Sequence, residues 1–293
     1  MMRKLNIILI LTCIITINSG CEKEISVTLP PGKKSLVVEA SINQLLPNLN
    51  YVYISRTIDY FNPDLSLNGV RNALVYITPG TIVGNDTIWN TESRIQMFDI
   101  NNFPGVDSLL QGFNGIYFNP LLFPQVGVPY KLDIEVEGER VTGVTTIPNV
   151  VEIDTVFWRA EFDTNEGDTD MYLTFEFTDG PEQNNYRLVV HESQAPVMVG
   201  WGAANTYREF DDAILNNGKR PYAFFRPFDY LDTVNIYLNS MGRKEYLFWD
   251  SYDDAKDNGG PFATPVIVRS NITGAIGSFT GYGVSYRRVI LTY

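Results

Sequence analysis

Groups able to carry acid–base or metal chemistry are sparse in this sequence, and their spacing limits what they can do. His191 is the only histidine, so a Ser/His/Asp arrangement has one possible centre. It stands in Leu188-Val189-Val190-His191-Glu192, an alternating run that reads as a strand position at a surface or barrel edge. No Gly-x-Ser-x-Gly elbow is present, so catalysis at His191 is not expected. With one His and two Cys, Cys13 and Cys21, zinc is disfavoured. Carboxylates are more plentiful. Asp163, Asn165, Asp168 and Asp170 alternate in one acidic stretch and offer the hard oxygen donors that calcium takes. The stretch lacks the Asp-x-Asp-x-Asp-Gly order and the later bidentate Glu, so a solvated hairpin loop is the preferred reading. Asp250, Asp253, Asp254 and Asp257 read as the charged face of a helix. A pair of carboxylates for glycoside hydrolysis needs a defined separation that spacing in sequence does not show. Trp201, in a Gly/Ala-rich stretch with Tyr207, is the aromatic best placed to stack on a ligand. Core packing accounts for most of Tyr222, Phe224, Phe225, Phe228 and Tyr230. The residues call for no cofactor.

Cys21 is where the neighbouring residues dictate a covalent chemistry. Arg3 and Lys4 precede an apolar run from Leu5 to Ile17, broken by Asn6 and Thr12, and Asn18-Ser19-Gly20-Cys21 follows. A charged start, a short apolar core and small residues before a cleavage point form the layout of an export signal. The run is too short for a mature transmembrane helix, which takes about 20 residues. Small residues followed at once by Cys resemble the bacterial lipobox, in which that Cys receives diacylglycerol before cleavage. The position three before the cysteine, usually Leu or another aliphatic, is here Asn18, a position that lipoproteins of Bacteroidota relax. Cys13 would leave with the leader and Cys21 would be consumed by lipid, leaving a body without thiol or disulfide. Stability must then come from core size, for which a body of 273 residues, 293 less the 20 of the leader, is sufficient.

The elements that must position any site are strands. The chain carries 22 basic and 34 acidic residues, and 13% of it is aromatic. Removing Arg3 and Lys4 makes the balance more acidic still. That excludes nucleic acid, which needs basic stripes against its phosphates, and it excludes an electrostatic hold on anionic lipid. Abundant Val, Ile, Thr and aromatics favour strands. Alternation predicts strands at 35–43, 51–56, 73–78, 86–90, 115–119, 130–137 and 139–146 in a first half, with Glu137-Gly138-Glu139 as a hairpin turn. A second half has strands at 153–160, 171–178, 186–192, 223–228, 233–239, 266–270 and 284–292. One helix is expected between Gly242 and Ala255, stopped by Asn258-Gly259-Gly260-Pro261. The expected fold is mainly β: two β-sandwich-like domains, the first Ig/transthyretin-like, with one short helix in the second. Residues 1–20 are the signal peptide and 21–35 the lipidated Cys with an extended tether. Residues 36–148 and 149–293 are the two domains, divided after Ile147-Pro148.

Several segments together carry a resemblance. They are Cys21, Leu36-Val37-Val38-Glu39-Ala40-Ser41-Ile42, Asn72-Ala73-Leu74-Val75-Tyr76-Ile77, Tyr130-Lys131-Leu132 and Thr146-Ile147-Pro148. Ser270-Asn271-Ile272 then leads through a Gly-rich turn to Gly277-Ser278-Phe279. In that order the chain resembles an uncharacterised, domain-of-unknown-function family of Bacteroidota outer-membrane lipoproteins, along its whole mature length. The resemblance implies a gene neighbourhood with TonB-dependent receptors and brings no catalytic residues. The first half is also similar to carboxypeptidase-regulatory and transthyretin-like sandwiches. Acidic Glu22 and Glu24 after the anchor resemble the surface-export signal of such lipoproteins. Asp-Ser/Thr-aliphatic triplets, the acceptor pattern of Bacteroidota O-glycosylation, place candidate sites at Thr87, Ser108, Thr155 and Thr233.

The expected function is a non-enzymatic lipoprotein of the outer membrane, facing the cell exterior. It would be held by lipid on Cys21 and act as a binding or assembly accessory to a TonB-dependent β-barrel receptor. An adhesin-like surface protein and a glycan or peptide hydrolase are the alternatives, since a sandwich fold does not select among them.

Overall fold

A computed structural model describes residues 34–47, 50–58, 69–102, 114–164, 167–192, 206–212, 218–224, 227–258, 264 and 266–293. Among them the chain is mainly β, in two sheets, with a single α-helix. The first half contributes β1 (Leu36–Asn43), β2 (Tyr51–Arg56), β3 (Leu74–Val83), β4 (Asp86–Trp89), β5 (Ile95–Asp99), β6 (Ile116–Phe118), β7 (Pro129–Val136) and β8 (Glu139–Thr146). The second half contributes β9 (Ile153–Asp163), β10 (Asp168–Asp179), β11 (Asn185–Glu192), β12 (Thr206–Asp211), β13 (Gly218–Ala223) and β14 (Thr233–Met241). The helix α1 (Arg243–Asp257), β15 (Ile272–Thr273) and β16 (Ile276–Ile290) follow.

The larger sheet runs β12-β11-β14-β16-β1-β2-β6-β5-β3-β7-β8-β15, with β4 paired to β3, and the smaller runs β13-β10-β9. The expected alternation in β7 puts Leu132 and Ile134 wholly inside. The turn to β8 uses positive φ at both Glu137 (50°) and Gly138 (80°), the geometry that matches strand twist in a two-residue hairpin. Val38, Val52, Ile54, Val75, Ile77, Leu132, Ile134 and Val141 form one apolar cluster, joined by Ile272 and Phe279 from the far end of the chain. A second cluster sits between the two sheets, where Leu173, Phe175 and Phe177 of β10 meet Leu188 and Val190 of β11 and Ile236 and Leu238 of β14. A third lies on the opposite face, where Phe248 and Trp249 of α1 cover Val189, Tyr237, Met241, Tyr282 and Val284. Strands β11 and β14 are therefore packed on both faces. That explains why all nine residues of β14 are buried, polar Asn235, Asn239 and Ser240 included.

The chain leaves the first cluster at Ile147 and enters the second at Ile153. Strand β16 belongs to both sides. Its first part, Ile276–Tyr282, pairs in parallel with β1, and its second part, Gly283–Ile290, pairs antiparallel with β14. Residues 34–293 form one compact unit.

Four local expectations are corrected. The strand expected at 284–292 begins earlier, because β16 starts at Ile276 and runs through its glycines. Residues 266–270 make no strand. The strand expected at 223–228 lies earlier, as β13. The stretch around Tyr207 is β12. Glycine lowers apparent strand propensity, and here it answers to close neighbours. A Cβ on Gly277, whose φ is +143°, would sit 1.8 Å from the Val38 carbonyl oxygen.

Candidate functional site

Arg187, on β11 beneath α1, is the electrostatic centre of the described body. Its guanidinium lies 3.5 Å from the centroid of the Trp249 ring, a stacked cation–π contact. Its Nε is 2.9 Å from Oε1 of Glu209 on β12, and its Nη1 donates to the Tyr282 hydroxyl of β16 at 3.2 Å. Tyr51 of β2 donates to the Glu39 carboxylate of β1. Burial opposes the charge on Arg187, but the Tyr282, Glu209 and Glu39 oxygens around it hold its pKa above the ordinary value. Burial raises Glu39. Burial also raises Glu209, to about 7, against the pull of Arg187 and with help from a hydrogen bond to Asp253. The group ties two first-half strands to three second-half strands and the helix.

Asp250, Asp253 and Asp254 form the charged helix face expected from their spacing. With Arg208 and Glu209 they border a hollow of 220 Å³.

The acidic stretch joins two antiparallel strands, the hairpin that was expected. Asp163 ends β9, and Asp168 and Asp170 belong to β10, where Asp168 faces Asp163 in register. Asp170 accepts a long hydrogen bond, 3.4 Å, from Tyr172. Asn165 lies outside the described residues, and among those described no group of three or more His, Cys, Asp or Glu side chains is close enough to hold a metal ion. His191 is corrected from surface to interior. It is 7% exposed on a strand flanked by β12 and β14, and the carbonyl of the same residue accepts from Asn235 at 3.3 Å. Thr233, expected as a glycan acceptor, is 4% exposed. A glycan needs surface that this hydroxyl does not have. Thr155 is exposed on β9, and Thr87 is half-buried on the β3–β4 hairpin. Cys21, Ser108 and Trp201 lie outside the described residues. Of the aromatic group assigned to core, Phe224 and Phe228 are buried in the second cluster and Tyr222 packs against it, Tyr230 is exposed, and Phe225 lies outside the described residues.

A cleft of 570 Å³ went unnoticed in the sequence. Strand β5 pairs with β3 at Ile95–Met97 and then crosses to β6 at Phe98 and Asp99. The wedge left between the diverging strands is lined by Asn72, Ala73 and Leu74 on one side and by Gln96, Met97, Phe98, Asp99 and Asn102 on the other. Its base is rigid. Asp99 is buried and accepts from the Asn101 backbone N–H (2.9 Å) and from Arg71 Nε (3.2 Å). Arg71 also reaches Asn102 Oδ1 at 3.3 Å. The Tyr117 hydroxyl accepts from the Ala73 N–H and donates to the Val70 carbonyl, both at 2.9 Å. The signal for this site was Asn72-Ala73 before a strand, which reads as strand start rather than as lining.

A family model described as "Domain of unknown function (DUF4249)" matches residues 22–288. The chain belongs to the DUF4249 family. The match spans every element from β1 into β16, so both halves of the body and the strand they share are part of what DUF4249 describes. No curated protein matches the chain in sequence. Nor does any helix among the described residues have the length and apolarity to cross a membrane.

Proposed function

We infer that this DUF4249 chain is a non-enzymatic lipoprotein of the outer membrane, held by lipid on Cys21 and serving as a binding or assembly accessory to a TonB-dependent β-barrel receptor at the cell exterior. The observation that carries the reading is the order of the first residues: two cations, an apolar run, then Ser19-Gly20-Cys21. Two facts support it. The family match begins at residue 22, one past the cysteine, and the compact body begins at residue 34, which leaves a short segment to serve as tether. Two or more acyl chains on one cysteine make a firm anchor where a single chain is marginal. The acidic body adds no attraction to anionic lipid, so the anchor acts alone.

Two measurements test this. Cys21→Ser is expected to move the protein from the membrane to the soluble fraction, and to remove a diacylglycerol-sized increment from its intact mass. Purification from native outer membrane in mild detergent is expected to bring a β-barrel receptor with it. Recovery of the lipidated chain alone, across several mild detergents, would count against the accessory role and leave the anchor standing.

A further inference from the structure

The cleft between β3 and β5 has a composition that selects a ligand class. Its outer rim holds the amides of Asn72 and Gln96, both exposed. Each amide presents donors and an acceptor together, which suits a group that also donates and accepts, such as a hydroxyl. Phe98 is 43% exposed and Leu74 is 48% exposed, so the same cleft shows two apolar surfaces to solvent. The one carboxylate, Asp99, is paired with Arg71, and the cleft carries no charge of either sign left over for a charged ligand. A free amino acid or a nucleotide needs such a charge, and the acidic chain, with a formal net charge of −12, repels anions. A purely apolar ligand would strand the amides. What remains is an uncharged molecule with hydroxyls around its edge and C–H groups on its faces. The volume of 570 Å³ lies within the roughly 300–1,000 Å³ usual for small-molecule sites.

We propose that this cleft binds a neutral sugar, with Phe98 and Leu74 against the ring faces and Asn72, Gln96 and Asn102 on its hydroxyls. Asp99 is a positioning residue. Held by Arg71 and Asn101, it fixes the turn that carries Asn102. Asn72 keeps φ at +60°, a left-handed conformation in which Asn is tolerated better than most side chains.

The accessory role proposed above and this site are separable. The test is titration of the full lipidated chain, in a detergent without a sugar headgroup, against a panel of neutral mono- and oligosaccharides. Uronic and sialic acids serve as charged controls, and calorimetry and ligand-observed NMR give the readout. Saturable binding of at least one neutral sugar is expected, with the acidic sugars weaker. Asn72→Gly leaves the backbone conformation easy to adopt while deleting the amide, and Gln96→Ala alters an exposed side chain. Each is expected to weaken binding roughly five- to tenfold, as the loss of one hydrogen bond does. Both should leave the thermal midpoint unchanged. Phe98→Ala is expected to weaken binding at least as much. No saturable binding of any neutral sugar overturns the proposal. So does binding that survives all three substitutions together, or a preference for the acidic sugars. Whether a receptor co-purifies bears on none of these outcomes.

Discussion

At the scale of single residues, Arg187 carries the most consequence. A buried cation is tolerated only when its partners are in place, and removing one member of such a group leaves uncompensated charge. Arg187→Leu is expected to cost about 3–5 kcal/mol in urea unfolding, more than any substitution on the exposed face of α1. The carboxyls around it make stability depend on pH in an unusual direction. Glu39, Glu209 and Glu245 are all raised from 4.5 by burial, Glu209 to about 7. In that window the folded chain binds more protons than the unfolded chain, so the slope of unfolding free energy with pH is negative. The contribution of Glu209 is complete below about 4.5, the unfolded value, and is lost as pH rises through about 7. The unfolding free energy from urea titration is therefore expected to fall between about pH 5 and about pH 8. Glu209→Gln should flatten that fall. An unchanged slope in the variant would mean that Glu209 does not titrate there.

At the scale of elements, β16 is the strand to which the others answer. Along one continuous run it changes from a parallel partner, β1, to an antiparallel one, β14. Side chains from loops lock it along its length. Asn271 exchanges two hydrogen bonds with the Phe279 backbone, at 2.8 and 2.9 Å. Gln44 does the same with Val284, at 3.0 and 2.8 Å. Thr145 links the strand to the helix, accepting from the Gly281 N–H at 2.9 Å and donating to Glu245 at 2.9 Å. Glu245 stands in the first turn of α1, where a carboxylate also meets the positive end of the helix. Gly277→Ala is expected to destabilise by about 2–3 kcal/mol, since a side chain there is strained in conformation and drives its Cβ into the Val38 carbonyl. Gly84→Ala, at a turn with nothing within 4 Å of the added carbon, isolates the conformational part alone. The two losses, compared by thermal unfolding, measure how closely β16 is pressed onto β1.

At the scale of the molecule, the two halves have separate apolar clusters and one shared strand. The first cluster is incomplete without Ile272 and Phe279, which arrive more than a hundred residues later. A fragment ending at Pro148 is expected to keep strand content yet give poorly dispersed amide resonances, because β1 lacks its parallel neighbour and the cluster lacks its plug. A well-dispersed spectrum from that fragment would show that the first half folds without β16. In the whole chain, near-ultraviolet and far-ultraviolet signals are expected to unfold together.

Strand and helix positions were largely legible in the sequence, and for a physical reason. Alternation in Lys131–Val136 and the apolar side of α1 at Phe248 and Trp249 report local geometry facing a core, and both elements appear where those patterns lie. The acidic helix face was legible in the same way. The glycines of β16 misled because their cause is distant: Val38 presses on Gly277 across 239 positions of sequence. The burial of His191 and Thr233 was hidden because β14 and β11 gain a helix on one face and a second sheet on the other, and no periodicity within a strand announces a second covering layer. The Arg187 group draws on six elements, and the β3–β5 cleft exists only because one strand changes partners partway along. Local pattern thus determined which segments are strands and which is helix. Tertiary contact alone decided which charges are buried together and where a ligand has room, since both depend on segments far apart in the chain meeting in space.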